Sequence, residues 1–446
     1  ADRCIDGITA SGPVTLRTTS GDIVLDKGIT VSGASDITLA SAANFTNHAG
    51  AAALTVDAGH WQVWSTDPAA DTLGGLAPDL KQYDATYGTT SVLGTGNGLL
   101  YTLAPELSVA LTGSVERVYD STTAATLVQG NYNVTAGLVG SDAVVFGTVG
   151  SFDDKNVGSA KKVSVSPVID SASAGSIVVY GYKLASGSTA IDANIGKITK
   201  ATLSAVTGIT ASDKTYDGND SATLATGSAG FTGKYAGDVL AVDTATGHFA
   251  SKNASATSGT VNITGITLTG TDAGNYALAD TTASTTATIN PYAVSLTGSR
   301  VYNGTTVVGT GDLTLGTLVG SETLTLSGAG SVATRHVGTG KTVDVSGLSL
   351  VGDGTAGAGL ASNYTFVGGT QTVNVTKANL SVTTSDVTKT YDGSLAASGT
   401  AVVAAGGTQL FGGDTLSGGT FAFTNANAGT GDDGLARARI TCTELA

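Results

Sequence analysis

The chain contains no methionine, and its only cysteines are Cys4 and Cys442, near opposite ends of 446 residues. Without internal cysteines there is neither a disulfide framework nor a Cys-rich metal site. Cysteine avoidance also suits a large protein that crosses an oxidising compartment unfolded. The missing methionine implies that Ala1 is not a translational start, and no basic stretch followed by an apolar one precedes the first strand, so a targeting signal is expected to be missing or removed. Charge is scarce too: 13% of residues carry it, against about 25% in an average soluble domain. Scarce charge can mean membrane insertion, yet no apolar run approaches the ~18–20 residues that a spanning helix needs. A net charge of −14, with basic residues scattered singly apart from Lys161-Lys162, argues against a nucleic-acid partner, because phosphate binding needs clustered Lys and Arg.

What fills the chain instead is Thr, Ser, Asn and 63 glycines. Thr and Val favour the half-buried surface of a strand, and Gly, Asn and Asp favour turns. The fold class is therefore all-β, and the length allows roughly three to five domains. Residues 1–60 read as short strands such as Val14-Thr15-Leu16-Arg17, Ile23-Val24-Leu25, Ile29-Thr30-Val31 and Ile37-Thr38-Leu39, broken every ten or so residues by turn formers. Alternation places one face inward, and short regular strands without hairpin turns fit rungs of a parallel β-helix. At residues 61–105 the texture changes, and both tryptophans, Trp61 and Trp64, fall here. A solenoid end exposes an edge and an open core, so the pair is expected to cap it. A sugar-stacking platform is the functional alternative.

Beyond residue 105 a phrase recurs: Tyr119-Asp120-Ser121, Tyr216-Asp217-Gly218, Tyr302-Asn303-Gly304 and Tyr391-Asp392-Gly393. The tyrosines lie 97, 86 and 89 residues apart, a period of small-domain size. Each copy adds further markers in constant order. An acidic turn comes first (Gly140-Ser141-Asp142, Gly237-Asp238, Ser321-Glu322, Gly413-Asp414), then Asn156-Val157-Gly158 and its equivalents, then Tyr182, Asn275-Tyr276 or Asn363-Tyr364. The copies span residues 106–200, 201–291, 292–378 and 379–446, each expected to be a small β-sandwich-like module, or alternatively a β-grasp-like one. Junctions are nearly absent, which favours a semi-rigid rod over a floppy tether. After Asn427-Ala428-Gly429 the fourth copy departs from the pattern and ends in Asp432-Asp433-Gly434-Leu435-Ala436-Arg437 and beyond. Truncation, a shifted reading frame or a cloning artefact is expected, with a poorly packed tail.

These markers resemble the YDG and MBG-type glycine-rich repeats of large bacterial surface adhesins. The stretch from His60-Trp61-Gln62-Val63-Trp64-Ser65 to Gly96-Asn97-Gly98-Leu99-Leu100-Tyr101 resembles the end of a filamentous-haemagglutinin β-helix. The resemblance implies a parent protein exported by two-partner secretion through an outer-membrane barrel, located outside the cell and active in adhesion, aggregation or biofilm. Contact with a host receptor, glycan or matrix polysaccharide would follow. It supplies no catalytic residues.

The residues themselves read the same way. In Tyr-Asp-Gly, glycine accepts φ > 0, aspartate caps its own turn and tyrosine buries a ring with its hydroxyl paired. A recurring anchor specifies a fold, whereas a catalytic residue more often occurs once. His48, His60, His248 and His336 have no metal-ligand spacing, and no Gly-x-Ser-x-Gly elbow precedes a helix. Gly94-Thr95-Gly96-Asn97-Gly98 lacks the lysine and helix of a phosphate loop and reads as a turn. Calcium is the one ion considered, at Asp153-Asp154, Asp217-Gly218-Asn219-Asp220 or Asp67 with Asp71, none of which completes a calcium-loop spacing. A non-catalytic adhesive stalk is therefore expected. A carbohydrate-binding β-helix module or a polysaccharide-active enzyme fragment is the alternative, although Asp22, Asp26 and Asp36 are isolated acids rather than a carboxylate pair.

Overall fold

The computed structural model describes residues 3–5, 7–352, 358–384, 387–403, 410–416, 421–423 and 426–427. The divergent tail from Asp432 to Ala446, including Cys442, lies outside them, as do Ala428 and Gly429. The fold is all-β. Among the described residues the helical elements are single 3₁₀ turns, such as Gln129–Asn131 and Ala273–Asn275, and no helix is long and apolar enough to cross a membrane. Two compact units divide the chain. One comprises Ala1–Ala205, Phe231–Ala241 and Leu268–Asp280; the other comprises Val206–Gly230, Val242–Thr267 and Thr281–Ala446. The second repeat thus contributes residues to both.

The first unit opens with three rungs of a parallel β-helix. They are β1 (Arg3–Ile5), β2 (Ile8–Ala10) and β3 (Val14–Arg17); β4 (Ile23–Leu25), β5 (Ile29–Val31) and β6 (Ile37–Ala40); and β7 (Phe45–Asn47), β8 (Leu54–Val56) and β9 (Trp61–Ser65). Each strand pairs in parallel with its counterpart one rung on, for example Ile23 with Phe45, Ile29 with Leu54 and Ile37 with Trp61. Alternation turns Ile23, Leu25, Ile29, Val31, Ile37 and Leu39 inward, where all are buried. Stacking like on like fills the coil with aliphatic side chains, each contributing about 1.5–3 kcal/mol when fully buried.

The third face of the coil does not end at the tryptophans. It continues through β10 (Leu80–Gln82) and β11 (Gly98–Tyr101) in the order β3, β6, β9, β11, β10 and then Ile177–Tyr180, Ile169–Ala174 and Ala143–Phe146 of the first repeat. The first six strands are parallel and the last two pairings antiparallel. One hydrogen-bonded sheet therefore carries the solenoid into the first module. The expectation of a tryptophan cap gives way to this arrangement, because β9 is paired on both edges. Trp61 fills the last rung's interior. Trp64 packs outside it with Ala40, Leu100 and Ala85, its ring 5.5 Å from Tyr87 and nearly perpendicular to it. Both indoles are buried, so neither offers a face to a sugar.

The repeats share one internal plan. In the first, the strand Glu106–Leu111 lies parallel to Lys183–Leu184, and Val115–Val118 lies parallel to the end of Ile191–Thr199. That long strand continues antiparallel to Gly158–Val165, Val149–Phe152 and Ala124–Thr126 in turn. In the second repeat Ala201–Leu203 lies parallel to Tyr276–Leu278, within the first unit, and Lys214–Thr215 lies parallel to Ile289–Asn290, within the second. In the third, Tyr292–Ala293 pairs in parallel with Tyr364–Thr365, and Ser299, Arg300 and Val301 pair with Asn374, Val375 and Thr376. Apolar clusters cross the sequence boundaries between copies. Tyr276 packs with Val115, Phe152 and Leu203, and Tyr216 packs with Val294, Leu324 and Tyr364.

Candidate functional site: a tyrosine–carboxylate latch between repeats

The markers that recur along the sequence meet in space at the repeat junctions. In the first unit, the Tyr119 hydroxyl donates to Asp238 Oδ2 at 2.7 Å and Tyr276 donates to the same oxygen at 2.6 Å. Lys155 Nζ sits 2.6 Å from the other oxygen and 2.8 Å from Asp272. The tyrosine of one copy's Tyr-Asp-Gly phrase is thus held by the acidic turn of the next copy, alongside that next copy's own Asn-Tyr tyrosine. The Asn-Val-Gly marker joins in. Asn275, placed by the 3₁₀ turn Ala273–Asn275, accepts from the Val157 amide at 2.9 Å and donates to Asn156 at 3.0 Å.

The pattern repeats in the second unit. Glu322 receives Tyr216 at 2.5 Å and Tyr364 at 2.6 Å, and Asn363 bridges Ala254 and Asn253. Tyr302 donates to Asp414 at 2.7 Å, and Arg335 stands 3.0 Å from that carboxylate. The series also has an earlier member. Tyr83 and Tyr182 both donate to Asp142 Oδ2, at 2.7 and 3.0 Å, with Lys81 3.0 Å away. Tyr83 therefore latches the end of the β-helix to the first repeat as Tyr119 latches the first to the second.

Electrostatics follow from burial. Burial and the hydrogen bond to Asp238 raise the Tyr119 and Tyr276 phenols above their ordinary value. Tyr182 and Tyr216 are pushed up to about 12, chiefly by burial. For Asp238, burial works to raise the carboxyl, but hydrogen bonds from Lys155, Tyr276 and Tyr119 outweigh it and hold the group below the usual carboxylate range. Bonds to Asp238 and Asp272 raise the Lys155 ammonium. The Asp238 assembly is a neutral-phenol, ionised-carboxylate cluster.

The Tyr-Asp-Gly turn carries a second device. Asp120 Oδ1 accepts from the Thr122 amide at 2.9 Å, and Arg117 reaches its other oxygen at 2.8 Å. Lys214 with Asp217, Arg300 with Asn303 and Lys389 with Asp392 repeat this arrangement. A basic residue two positions before each tyrosine is folded into its own turn, where it also meets turn oxygens such as Asn219 O and Thr305 O. The sequence signal was present as Arg117, Lys214, Arg300 and Lys389, and the motif reading overlooked it. At the considered calcium positions, Lys161 stands against both Asp153 and Asp154, Asp220 pairs with His248, and Asp71 accepts from Phe45 and Ser65. Among the described residues no group of three or more His, Cys, Asp or Glu could hold a metal ion.

The position after the aspartate, or after Asn303 in the third copy, is left-handed in every copy: φ is +84° at Gly218, +75° at Gly304, +73° at Gly393 and +65° at Ser121. An L side chain there costs about 1–2 kcal/mol, partly offset by the larger chain entropy that glycine loses. Ser121→Gly is therefore expected to stabilise the protein by about 0.5–1 kcal/mol, read as a rise in melting temperature; a fall would show that the serine side chain contributes more than its backbone costs. The fourth copy keeps its turn, with Asp392 pulled down to about 2 by Lys389 and Ser394. Its Tyr391 is 66% exposed, unlike the other three.

The chain matches the YDG domain over residues 102–189, 199–283, 285–373 and 376–443, well over half its length. It belongs to the YDG domain family. No curated protein matches it.

Proposed function

We propose that this YDG-repeat chain is a non-catalytic segment of a bacterial adhesin stalk, exposed outside the cell, of the filamentous-haemagglutinin-like kind exported by two-partner secretion. The observation that carries the reading is where the chemically capable side chains go. Asp238, Asp142 and Glu322 receive tyrosines across junctions. Asp22 and Asp36 each bind a backbone amide one rung on, at Asn44 and His60, and Asp26 pairs with His48. Acids committed to holding neighbouring layers together are poor candidates for general acid–base work. A parallel coil running into tandem YDG copies supports the adhesin context, in which repetition supplies avidity. The partner would be a host receptor, glycan or matrix polysaccharide, with an outer-membrane barrel exporting the parent protein.

Buried Trp61 and Trp64 weigh against the carbohydrate-binding alternative, which needs accessible rings. The test displays the chain on beads and measures retention on glycan and matrix panels, with polysaccharide breakdown followed in parallel. Retention without release of reducing ends is the expected result. Depolymerisation of any polysaccharide would replace the stalk with an enzyme.

A further inference from the structure

We infer that each YDG repeat is a shear clamp, a module arranged to hold when the chain is pulled from its two ends. In the first three copies the strand that brings the chain in lies beside the strand that takes it out, and the two are parallel. The trailing pairs are Val115–Val118 against the end of Ile191–Thr199, Lys214–Thr215 against Ile289–Asn290, and Ser299, Arg300 and Val301 against Asn374, Val375 and Thr376. Each copy adds a leading pair, at Glu106 with Lys183, Ala201 with Tyr276 and Tyr292 with Tyr364.

Tension drags an incoming strand toward its N-terminal end and an outgoing strand toward its C-terminal end. When the two are parallel neighbours, that motion is sliding, and all the hydrogen bonds between them must yield together. Antiparallel terminal strands would open one bond at a time. The Tyr-Asp-Gly tyrosine closes each clamp: the amides of Tyr119, Tyr216 and Tyr302 donate to Thr199, Asn290 and Thr376, each at 2.8 Å. Each of these rings then projects to a carboxylate of the next copy. Sliding the strand requires pulling the tyrosine out of its latch, so the motif bolts the strand that carries the force. The inference stands apart from the adhesive reading, since a chain that binds nothing can still resist tension.

The test holds the full chain by its ends at constant force and records the lifetime of each unfolding step. Discrete, long-lived steps are expected. Tyr216→Phe removes a hydroxyl bond to a charged group and should shorten one step's lifetime about tenfold, which corresponds to about 1.4 kcal/mol. Ile263→Ala empties core space beneath Gly259–Thr264, away from the cluster that holds Tyr216 and Ile289, and should lower the melting temperature while leaving that lifetime within about twofold. Gradual extension without steps would overturn the inference. So would an unchanged lifetime in Tyr216→Phe, or an Ile263→Ala effect at force as large as that of Tyr216→Phe.

Discussion

Asp238→Ala is expected to destabilise the first unit by about 3–5 kcal/mol, the cost typical of removing one member of a buried charged network. The Asp238 side chain is 1% exposed and is the shared acceptor for Tyr119, Tyr276 and Lys155. Its loss leaves two phenolic hydroxyls buried without their acceptor, each costing about 1–3 kcal/mol. Lys155 keeps Asp272, which limits the damage on that side. Asp238→Asn retains an acceptor of nearly the same shape and should cost less. Tyr119→Phe made in the Asp238→Ala background should cost little more than Asp238→Ala alone, because the bond is already gone, so a double-mutant cycle returns a coupling of about 1–3 kcal/mol. Hydrogen exchange at residues 115–119 and 201–203 reports the unit directly. An Asp238→Ala protein within 1 kcal/mol of the parent would mean that the latch adds nothing to what apolar packing already supplies.

How much of this was legible beforehand depended on distance along the chain. The left-handed glycine, the aspartate capping its own turn and the alternating rung strands are local, and Gly218, Asp217 and the run Ile23 to Leu39 announced them. The latch is not local. Tyr119 and Asp238 are 119 residues apart, and Tyr302 and Asp414 are 112 apart. The acidic turns and Asn-Tyr markers were visible as repeats, yet nothing in one copy says that its tyrosine belongs to the next copy's carboxylate. The copies read as separate modules; Leu296, Val308, Val332 and Val343 do cluster within the third, whereas Tyr276 packing with Val115 and Phe152 carries one cluster across a boundary. Tyr83 was read with the end of the β-helix and not with the repeats, although Lys81-Gln82-Tyr83-Asp84 keeps the order of cation, tyrosine and acid seen in Arg117-Val118-Tyr119-Asp120. The tryptophans misled for a physical reason. Large aromatics at a change of texture suit a cap, but equally suit the last rung of a sheet that continues.

Alkali should unfold the protein abruptly above pH ~10, the ordinary tyrosine value, and the sign follows from the latches. Tyr83, Tyr119, Tyr182, Tyr216, Tyr276 and Tyr364 all have phenols raised in the folded state, through burial first and through their carboxylate partners. Below pH ~10 folded and unfolded chains both keep these protons, and the stabilisation is fully present. Above it the unfolded chain releases them and the folded chain does not, so stability falls with rising pH until the folded value is passed. For Tyr182 and Tyr216, pushed up to about 12, the loss across that window is about 2–3 kcal/mol each. The latches within each unit lose stability over the same range, and their combined loss is a large share of the about 5–15 kcal/mol that a native domain ordinarily has. Ionisation of the latched phenols and loss of sheet circular dichroism should therefore occur as one transition, followed by tyrosinate absorbance. A protein whose 14 tyrosines all ionised while the sheet signal stayed intact would show hydroxyls open to solvent, and the carboxylates could not be gripping them.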